Sequence, residues 1–241
     1  MLFGKEIIHL SDVDSTNNFA AKLFSDKLCQ HGSVIMSDCQ INGKGQRGTI
    51  WQSENGKNLL CTFVYRPDNL SVENQAQINW ATSLAVLKTL GKFGLIAKIK
   101  WPNDLLVNET KICGILIENQ VSGNFLSTSF IGIGLNINQQ NFFDFPATSI
   151  RNETGNTFLI REILDGLIKE MNHYFLLLNS RNLELKKEYL SSLYRFKEKS
   201  FFEAENEVFE GTIIDVSSAG LLVIEKNGKR LEFGLKTIKY C

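Results

Sequence analysis

A glycine-rich segment at residues 43–48 (Gly-Lys-Gly-Gln-Arg-Gly) carries two cations and could present successive backbone N–H groups to an anion. Its spacing also matches the GxGxxG pattern of dinucleotide sites, which requires a helix directly after the glycines to receive a pyrophosphate. Here residues 49–51 (Thr-Ile-Trp) and a polar stretch lead into a strand pattern instead. The acidic residue nearest the expected spacing, Asp68, lies in an Arg-Pro-Asp turn. We therefore reject the dinucleotide interpretation and retain two, an anion-binding loop and an ordinary surface loop.

A second segment places a cation, an amide and a carboxylate at the end of a predicted strand, at residues 100–104 (Lys-Trp-Pro-Asn-Asp). The proline ends that strand, so Asn103 and Asp104 project from a fixed turn. Lys111 follows a short hairpin-like segment and precedes the apolar strand pattern of residues 112–117. A lysine in this position is either a solvated side chain or a catalytic cation.

A third segment, residues 132–138 (Gly-Ile-Gly-Leu-Asn-Ile-Asn), puts two glycines inside a strand pattern. Glycine within a strand marks either a β-bulge or the close approach of a ligand or another backbone.

The elements that must position these segments alternate between strand and helix. Strand patterns cover residues 7–10, 34–36, 59–65, 97–101, 112–117 and 130–137. Helical patterns cover residues 15–28, 73–93, 158–178 and 183–193, with Ser15 or Thr16 as the first N-cap. From about Arg195 short alternating strands predict a small β-barrel, over 208–216, 221–225 and 230–233 with an Asn227-Gly228 turn.

Composition restricts the class of protein. The 241 residues carry 26 Lys+Arg and 26 Asp+Glu, which argues against general binding to nucleic acid or acidic membranes. No signal peptide or membrane-spanning run is recognisable, so a cytoplasmic protein is predicted. The five cysteines are widely spaced and form no CxxC pair, which predicts neither a disulfide framework nor a structural zinc site.

Taken in order, the segments resemble one family, the biotin protein ligases (biotin–[acetyl-CoA-carboxylase] ligases). The resemblance rests on residues 14–17 (Asp-Ser-Thr-Asn), 43–51, 100–104, 111–118 and 132–138, and it covers most of residues 1–190. It implies an α+β fold, with a mixed sheet and flanking helices as in class II aminoacyl-tRNA synthetases and biotin ligases, over residues 1–194. It also implies a small SH3-like C-terminal domain over residues 195–241.

The implied reaction activates biotin with ATP and Mg²⁺ as biotinyl-5′-AMP and transfers the biotinyl group to a lysine of a biotin carboxyl carrier protein. Both steps develop negative charge that fixed cations and backbone N–H groups stabilise. By resemblance, Lys111 is the catalytic cation between the biotin carboxylate and the α-phosphate. Asp104 either orients the acceptor amine or helps to hold Mg²⁺, and the sequence leaves both roles open.

The resemblance also assigns binding residues. Contacts to the biotin head are implied for Ser15, Thr16, Asn17 and Gln40, and contacts along its tail for Gly114 and Leu116. The loop that closes over biotin and the adenylate is implied to comprise Lys44, Gly45, Gln46, Arg47 and Trp51. The nucleotide site is implied to include Lys100, Asn103 and Asn136, with Asn136 the better candidate for reading adenine.

Two departures from the family pattern matter. The commonest family loop reads Gly-Arg-Gly-Arg-Arg-Gly, whereas Lys44 and Gln46 replace two of those arginines here. Lysine keeps the charge but loses the bidentate fork, and glutamine removes a charge, so we expect looser retention of the adenylate. Too few residues precede Ser15 for a three-helix DNA-binding domain, which needs on the order of 50 residues. We therefore expect an enzyme that binds no DNA, as a monomer or homodimer.

Two alternatives remain open from the sequence. One is an enzyme of the same fold that activates lipoate or octanoate, and the other is a catalytically silent biotin-binding or partner-binding module. Lys111, Asp104 and Asn136 argue against the silent module, because binding alone does not require the nucleotide residues.

Overall fold

The computed structural model describes residues 1–143 and 146–241, with the backbone but not the side chain of Arg47. Seven strands form its first sheet: β1 (Ile7–Val13), β2 (Val34–Gln40), β3 (Leu59–Tyr65), β4 (Ala97–Lys100), β5 (Asp104–Val107), β6 (Thr110–Ser122) and β7 (Phe125–Leu135). Their order across the sheet is β1-β2-β3-β7-β6-β5-β4. Strands β1 and β2 run parallel, and the other neighbouring pairs are antiparallel.

Five α-helices accompany this sheet: α1 (Thr16–Ser25), α2 (Ala76–Gly91), α3 (Ile150–Thr154), α4 (Ile160–Asn179) and α5 (Glu184–Ser191). Short 3-10 turns lie at Gln46–Gly48 and Val72–Asn74. Helices α2, α4 and α5 cover one face of the sheet and bury the main hydrophobic core against it. Helix α1 packs on the opposite face, where Ala20 meets Ile35, Val64 and Phe130.

Alternation along the strands decides which residues face α1. In β6, Cys113 and Ile115 belong to the core beneath α2, α4 and α5. Because successive side chains of a strand point to opposite faces, Gly114 and Leu116 point toward the side of α1. A stretch of small or polar residues on that face leaves space between the sheet and the loops.

A second, antiparallel sheet follows from residue 199 onward. Its strands are β8 (Lys199–Ala204), β9 (Glu207–Val216), β10 (Leu222–Lys226), β11 (Lys229–Phe233) and β12 (Lys239–Tyr240), in the order β11-β10-β9-β8-β12. Asn227 and Gly228 join β10 to β11 with φ angles of 51° and 74°, the positive values that a tight type I′ turn requires.

The two sheets are tied together by specific contacts. Trp101 Nε1 donates a hydrogen bond to the Gly220 carbonyl at 3.0 Å, and Lys186 Nζ lies 2.8 Å from Asp215 Oδ1. The predicted fold class is thereby confirmed, a mixed sheet with flanking helices followed by a small antiparallel sheet consistent with an SH3-like domain. No helix in the described ranges is both long and apolar enough to cross a membrane.

Several element boundaries differ from the sequence prediction. The helix expected over residues 73–93 begins only at Ala76, after the 3-10 turn, and α1 ends at Ser25 rather than at residue 28. The short strands β5, β8 and β12 and the five-residue helix α3 were not predicted, because elements this short carry too few residues for a periodic pattern.

Candidate active site

A cavity of about 280 Å³ opens on the α1 side of the first sheet. Its walls come from the start of α1, the end of β2, the glycine-rich loop, the turn after β4, and strands β6 and β7. The predicted site residues that line it are Ser15, Thr16, Asn17, Gln40, Lys44, Gly45, Gln46, Trp51, Asn103, Asp104, Lys111, Gly114 and Leu116. Segments far apart in the chain therefore converge on one space.

Glycines of β6 and β7 make the floor of this cavity. The strand register pairs Gly114 with Gly134 and Leu116 with Gly132. A Cβ on Gly114 would lie 2.8 Å from Cζ3 of Trp51, and one on Gly134 would overlap the same indole ring. The missing side chains let the indole lie directly on the sheet, so what approaches these glycines here is a side chain rather than the ligand or backbone that the glycine pattern suggested.

An ion pair lies beside this floor. Lys111 Nζ is 2.7 Å from Asp104 Oδ1 and 5.4 Å from the centroid of the Trp51 ring. The side chains of Lys111 and Asp104 are 30% and 28% exposed, so both are partly desolvated yet reachable from the cavity. A cation held in this way can exchange its carboxylate partner for an anionic ligand without leaving the site.

The opposite end of the cavity is neutral and polar. Gln40 Oε1 accepts a hydrogen bond from Thr16 N at 2.8 Å and lies 3.0 Å from Thr16 Oγ1. Ser15 is the N-cap of α1, but its side chain forms no capping bond. Gln40 therefore satisfies a free N–H at the helix start, and the Ser15 hydroxyl remains available to a ligand.

The glycine-rich loop is attached to α1 through polar contacts. Lys44 Nζ donates to Asn18 Oδ1 at 2.5 Å and lies 3.8 Å from Glu118 Oε1. No α-helix directly follows the glycines. Instead, an isolated antiparallel bridge between Lys44 and Ile50 encloses the 3-10 turn at Gln46–Gly48. This conformation agrees with the rejection of a dinucleotide fingerprint.

Two predicted residues lie outside the cavity lining, and the side chain of a third is not described. Lys100 lies outside the cavity lining, with Nζ 5.3 Å from the centroid of the Tyr240 ring. Asn136 is also outside the lining and 1% exposed; its Nδ2 donates to the Thr148 carbonyl, while its Oδ1 has no partner among the described residues. The side chain of Arg47 lies outside what the structure describes.

Asn103 lines the cavity, but its side-chain amide forms a hydrogen bond to the neighbouring strand β6. Its Nδ2 donates to the Ile115 carbonyl at 2.6 Å, and Ile115 N donates to the Asn103 carbonyl at 3.0 Å. These two bonds fix the turn after β4 against β6, and so fix Asp104, the next residue along the chain.

Other residues at the site escaped the sequence analysis as candidates. Thr62, in the middle of β3, is fully buried behind Thr16 and Asn17, and Glu118 accepts a hydrogen bond from Asn17 Nδ2 at 2.8 Å. Lys236, from the turn between β11 and β12, lines the cavity. Nothing in the sequence indicates Thr62, which looks like one more strand residue, or Lys236, which looks like a surface lysine.

Cys113 lies next to the cavity floor but is unsuited to act as a nucleophile. Complete burial raises the pKa of its thiol well above the ordinary value, and nearby Lys111 only partly opposes this effect. The thiolate is the reactive form of cysteine, so this side chain stays protonated and inert at neutral pH.

Comparisons with known proteins agree with this geometry. The model of the Biotin/lipoate A/B protein ligase family matches residues 10–136. Among curated relatives, the biotin--[acetyl-CoA-carboxylase] ligase of Paracoccus denitrificans is 34% identical over 167 residues, which are 66% of this chain and 68% of that protein. The bifunctional ligase/repressor BirA of Bacillus spizizenii is 31% identical over 161 residues, 64% of this chain and 49% of that protein. This chain thus matches about half the length of the Bacillus relative.

Among solved structures, the biotin protein ligase of Aquifex aeolicus in complex with biotin and ATP superposes with a TM-score of 0.82. The match has 24% sequence identity and covers 99% of this chain and 100% of that one, which establishes a shared fold. Since the family model matches more than half of the chain and the Paracoccus relative is similar over two thirds of its length, the chain belongs to the Biotin/lipoate A/B protein ligase family.

Proposed function

We propose that this protein is a biotin–[biotin carboxyl carrier protein] ligase, which makes biotinyl-5′-AMP from biotin and ATP and transfers the biotinyl group to a carrier lysine. The observation that carries the proposal is the division of one cavity into a neutral polar end at Thr16 and Gln40 and a charged end at Lys111 and Asp104. Biotin has the matching layout, a neutral ureido head, an apolar tail and a carboxylate.

The floor between the two ends suits the tail. Gly114 and Leu116 lie two residues apart on the cavity face of β6, a spacing of about 7 Å along a strand. A glycine at the first position leaves room for an alkyl chain, and leucine at the second offers an apolar contact. The tail would thus run along β6 from the polar end toward Lys111.

In the first step, a carboxylate oxygen of biotin attacks the α-phosphorus of ATP and pyrophosphate leaves. Two anionic reactants must approach each other, and the Lys111 ammonium can neutralise both once it exchanges Asp104 for the substrate. Lys44 and Lys236, whose side chains line the cavity, would offset phosphate charge.

In the second step, the acceptor amine attacks the carbonyl carbon of the mixed anhydride and AMP leaves. When Lys111 turns to the substrate, Asp104 loses its cationic partner beside the reacting carboxyl group. It can then bind the ammonium of the acceptor lysine and take up the proton that the amine must lose. This exchange of cations favours the acceptor-orienting role for Asp104.

The unpartnered Oδ1 of Asn136 fits the nucleotide. A buried carbonyl oxygen without a donor is costly, and the exocyclic amine of adenine is a suitable donor for it. Asn136 lies outside the cavity lining and is 1% exposed, so adenine can reach it only if the residues around it move.

Mg²⁺ would be coordinated mainly by the phosphates of ATP rather than by a full set of protein ligands. Within the described residues, no three His, Cys, Asp or Glu side chains are grouped to hold a metal ion. Mg²⁺ is commonly held by one or two carboxylates together with substrate phosphates, and Asp104 is the carboxylate that lines the cavity. The ion would supply positive charge to the triphosphate.

We further propose that residues 1–194 form the catalytic domain and that residues 195–241 form a small domain that completes the cavity through Lys236. The partner is a biotin carboxyl carrier protein or domain, and the protein acts in the cytoplasm without DNA.

Intact-mass spectrometry of a carrier domain incubated with the protein, biotin and ATP tests this function. We expect one biotinyl addition, which disappears when ATP is omitted or when the target lysine of the carrier is replaced by arginine. An unmodified carrier under all conditions would contradict the proposal. Thermal stabilisation by biotin, but not by equal concentrations of lipoate or octanoate, distinguishes this function from activation of those two acids.

A further inference from the structure

A buried hydroxyl lies behind the polar end of the cavity. Thr62 of β3 is fully buried, and its Oγ1 lies 2.7 Å from Asn17 Oδ1 and 2.9 Å from Thr16 Oγ1. Its neighbour across the sheet is Gly132, where a Cβ would lie 2.5 Å from Asn17 Oδ1. The sheet is therefore shaped so that the Asn17 amide can reach the Thr62 hydroxyl.

Glu118 fixes the orientation of the Asn17 amide. Asn17 Nδ2 lies 2.8 Å from Glu118 Oε2 and 3.3 Å from the Leu116 carbonyl oxygen. An ionised carboxylate and a carbonyl can only accept, so the amide nitrogen must face them and the amide oxygen must face Thr62. The single proton of the Thr62 hydroxyl is thereby donated to Asn17 Oδ1.

This assignment also determines what Thr16 offers to a ligand. With the Thr62 proton directed at Asn17, the Thr16 proton has two acceptors within reach, Thr62 Oγ1 and Gln40 Oε1. In either case the proton of Thr16 is used within the protein, and the lone pairs of its oxygen remain free.

The same reasoning applies to Gln40. Its Oε1 accepts a hydrogen bond from the backbone N–H of Thr16. Its Nε2 therefore points away from that N–H and can act as a donor to another group. The polar end of the cavity therefore presents an acceptor at Thr16 and a donor at Gln40.

We propose that Thr62 is a positioning residue that gives the polar end its selectivity for a cyclic urea. Glu118 orients the Asn17 amide, and the amide in turn orients the Thr62 hydroxyl. A cyclic urea offers N–H donors beside a carbonyl acceptor, the complement of Thr16 Oγ1 and Gln40 Nε2. A dithiolane ring or an alkyl chain offers neither and would leave both groups unpaired. The proposal rests on the proposed function and extends it to the residues that set substrate selectivity.

The test replaces Thr62 by valine, which keeps the shape and removes the hydroxyl. We expect biotin binding to weaken about tenfold by calorimetry, with ATP binding unchanged, because Asn17 Oδ1 and Thr16 lose their partner. In biotin-dependent ATP–pyrophosphate exchange, the KM for biotin should rise by the same factor while kcat stays within twofold.

Thr62→Ser separates the hydrogen bond from packing. Serine keeps the hydroxyl and loses the methyl group, so we expect it to restore biotin affinity to within about twofold of the parent. A purely structural role predicts the reverse order, with valine tolerated and serine impaired. Thr82→Val is the matched control: Thr82 is equally buried, and its hydroxyl donates to the Ile78 carbonyl inside α2, away from the cavity.

Desthiobiotin, which keeps the cyclic urea, should lose affinity for Thr62→Val in parallel with biotin, whereas any weak binding of lipoate should not change. A valine variant with parental biotin affinity, or a serine variant as weak as valine, would overturn the role of Thr62. A parent protein without biotin-dependent exchange would overturn the proposed function as well.

Discussion

At the scale of single residues, the central feature is that Lys111 has an anionic partner within the protein, the carboxylate of Asp104. A lysine that is 30% exposed and 2.7 Å from a carboxylate contributes little to stability, because solvent screens the pair. Under the proposed function its value lies in the reaction, where the ammonium would lie between the two anions that must meet. An ammonium that has an exchangeable carboxylate partner costs less free energy than an ammonium buried without a partner.

Replacing Lys111 by alanine should therefore spare the fold and remove most of the activity. We expect biotin-dependent pyrophosphate exchange to fall roughly 10²–10³-fold, the effect of losing about 3–4 kcal/mol of transition-state stabilisation. Lys88→Ala is the control, since Lys88 forms a 2.8 Å ion pair with Glu188 away from the cavity. Exchange at a near-parental rate in Lys111→Ala, with the melting temperature unchanged, would show that another group supplies the cation.

Gln46 offers a gain-of-affinity test. It lines the cavity at the start of the 3-10 turn, where the commonest family loop carries arginine. We expect Gln46→Arg to slow release of preformed biotinyl-adenylate roughly five- to tenfold in stopped-flow measurements, because a charge-assisted hydrogen bond exceeds a neutral one by about 1 kcal/mol.

Gln52→Arg adds the same charge at an exposed position outside the lining and should leave the off-rate of the adenylate unchanged. An off-rate for Gln46→Arg equal to or faster than that of the parent would mean that Lys44 or other contacts already hold the phosphate.

Lys111, Asp104 and Trp51 could be proposed from the sequence only because their segments, taken in order, resemble those of the biotin protein ligases. Taken alone, a lysine before an apolar strand is as readily a solvated side chain as a catalytic cation. Thr62 could not be predicted, because a threonine inside an apolar strand is ordinary until its neighbours across the sheet are known. The position of Lys100 outside the cavity lining could not be predicted, since nothing in the sequence indicates that Tyr240 lies close to it.

At the scale of elements, the β6–β7 hairpin acts as a floor because its glycines coincide in register. The pairing of Gly114 with Gly134 could not be read from the sequence, where the glycines of residues 132–138 allowed either a β-bulge or a close approach. Register depends on the turn at the far end of the hairpin and on the bulge between Gln120 and Val121. A shift of β6 by one residue would move Gly114 to the face covered by α2 and separate it from Gly134.

Gly134→Ala tests the floor. The added methyl group would overlap the Trp51 indole, which is rigid and must move off the sheet. We expect kcat/KM for biotin to fall at least tenfold with little loss of stability, because the indole sits in an open cavity rather than in the core. Gly166→Ala in α4 is the control: no atom lies within 4 Å of its new methyl group, and it should stabilise the helix by about 0.5–1 kcal/mol. Unchanged kinetics in Gly134→Ala would indicate that the position of Trp51 is unimportant.

At the scale of the whole molecule, the second sheet takes part in the site. Lys236 reaches the cavity wall from the turn between β11 and β12, while Trp101 and Lys186 tie this sheet to the first one. The sequence predicted a small β-structure at this end from its alternation and turns, but not its contribution to the cavity. That contribution depends on how the two sheets pack, which no local pattern encodes.

Lys236→Ala should therefore reduce activity although the residue lies far from every sequence motif. We expect the KM for ATP to rise roughly fivefold, corresponding to about 1 kcal/mol for an exposed contact to phosphate. Lys229→Ala removes an exposed lysine from the same sheet at a position outside the cavity lining and should have no effect. Equal KM values for ATP in the two variants would show that the second sheet does not contribute to ATP binding through Lys236.

Exchange of labelled pyrophosphate into ATP by the unmodified protein tests the central claim most directly, because it reports the first chemical step without an acceptor protein. Exchange that requires biotin, that is supported by desthiobiotin and not by lipoate or octanoate, and that is lost in Lys111→Ala is the result predicted here. Exchange supported by lipoate or octanoate in place of biotin, or no exchange with any of these acids, would contradict the assignment of this cavity to biotin activation.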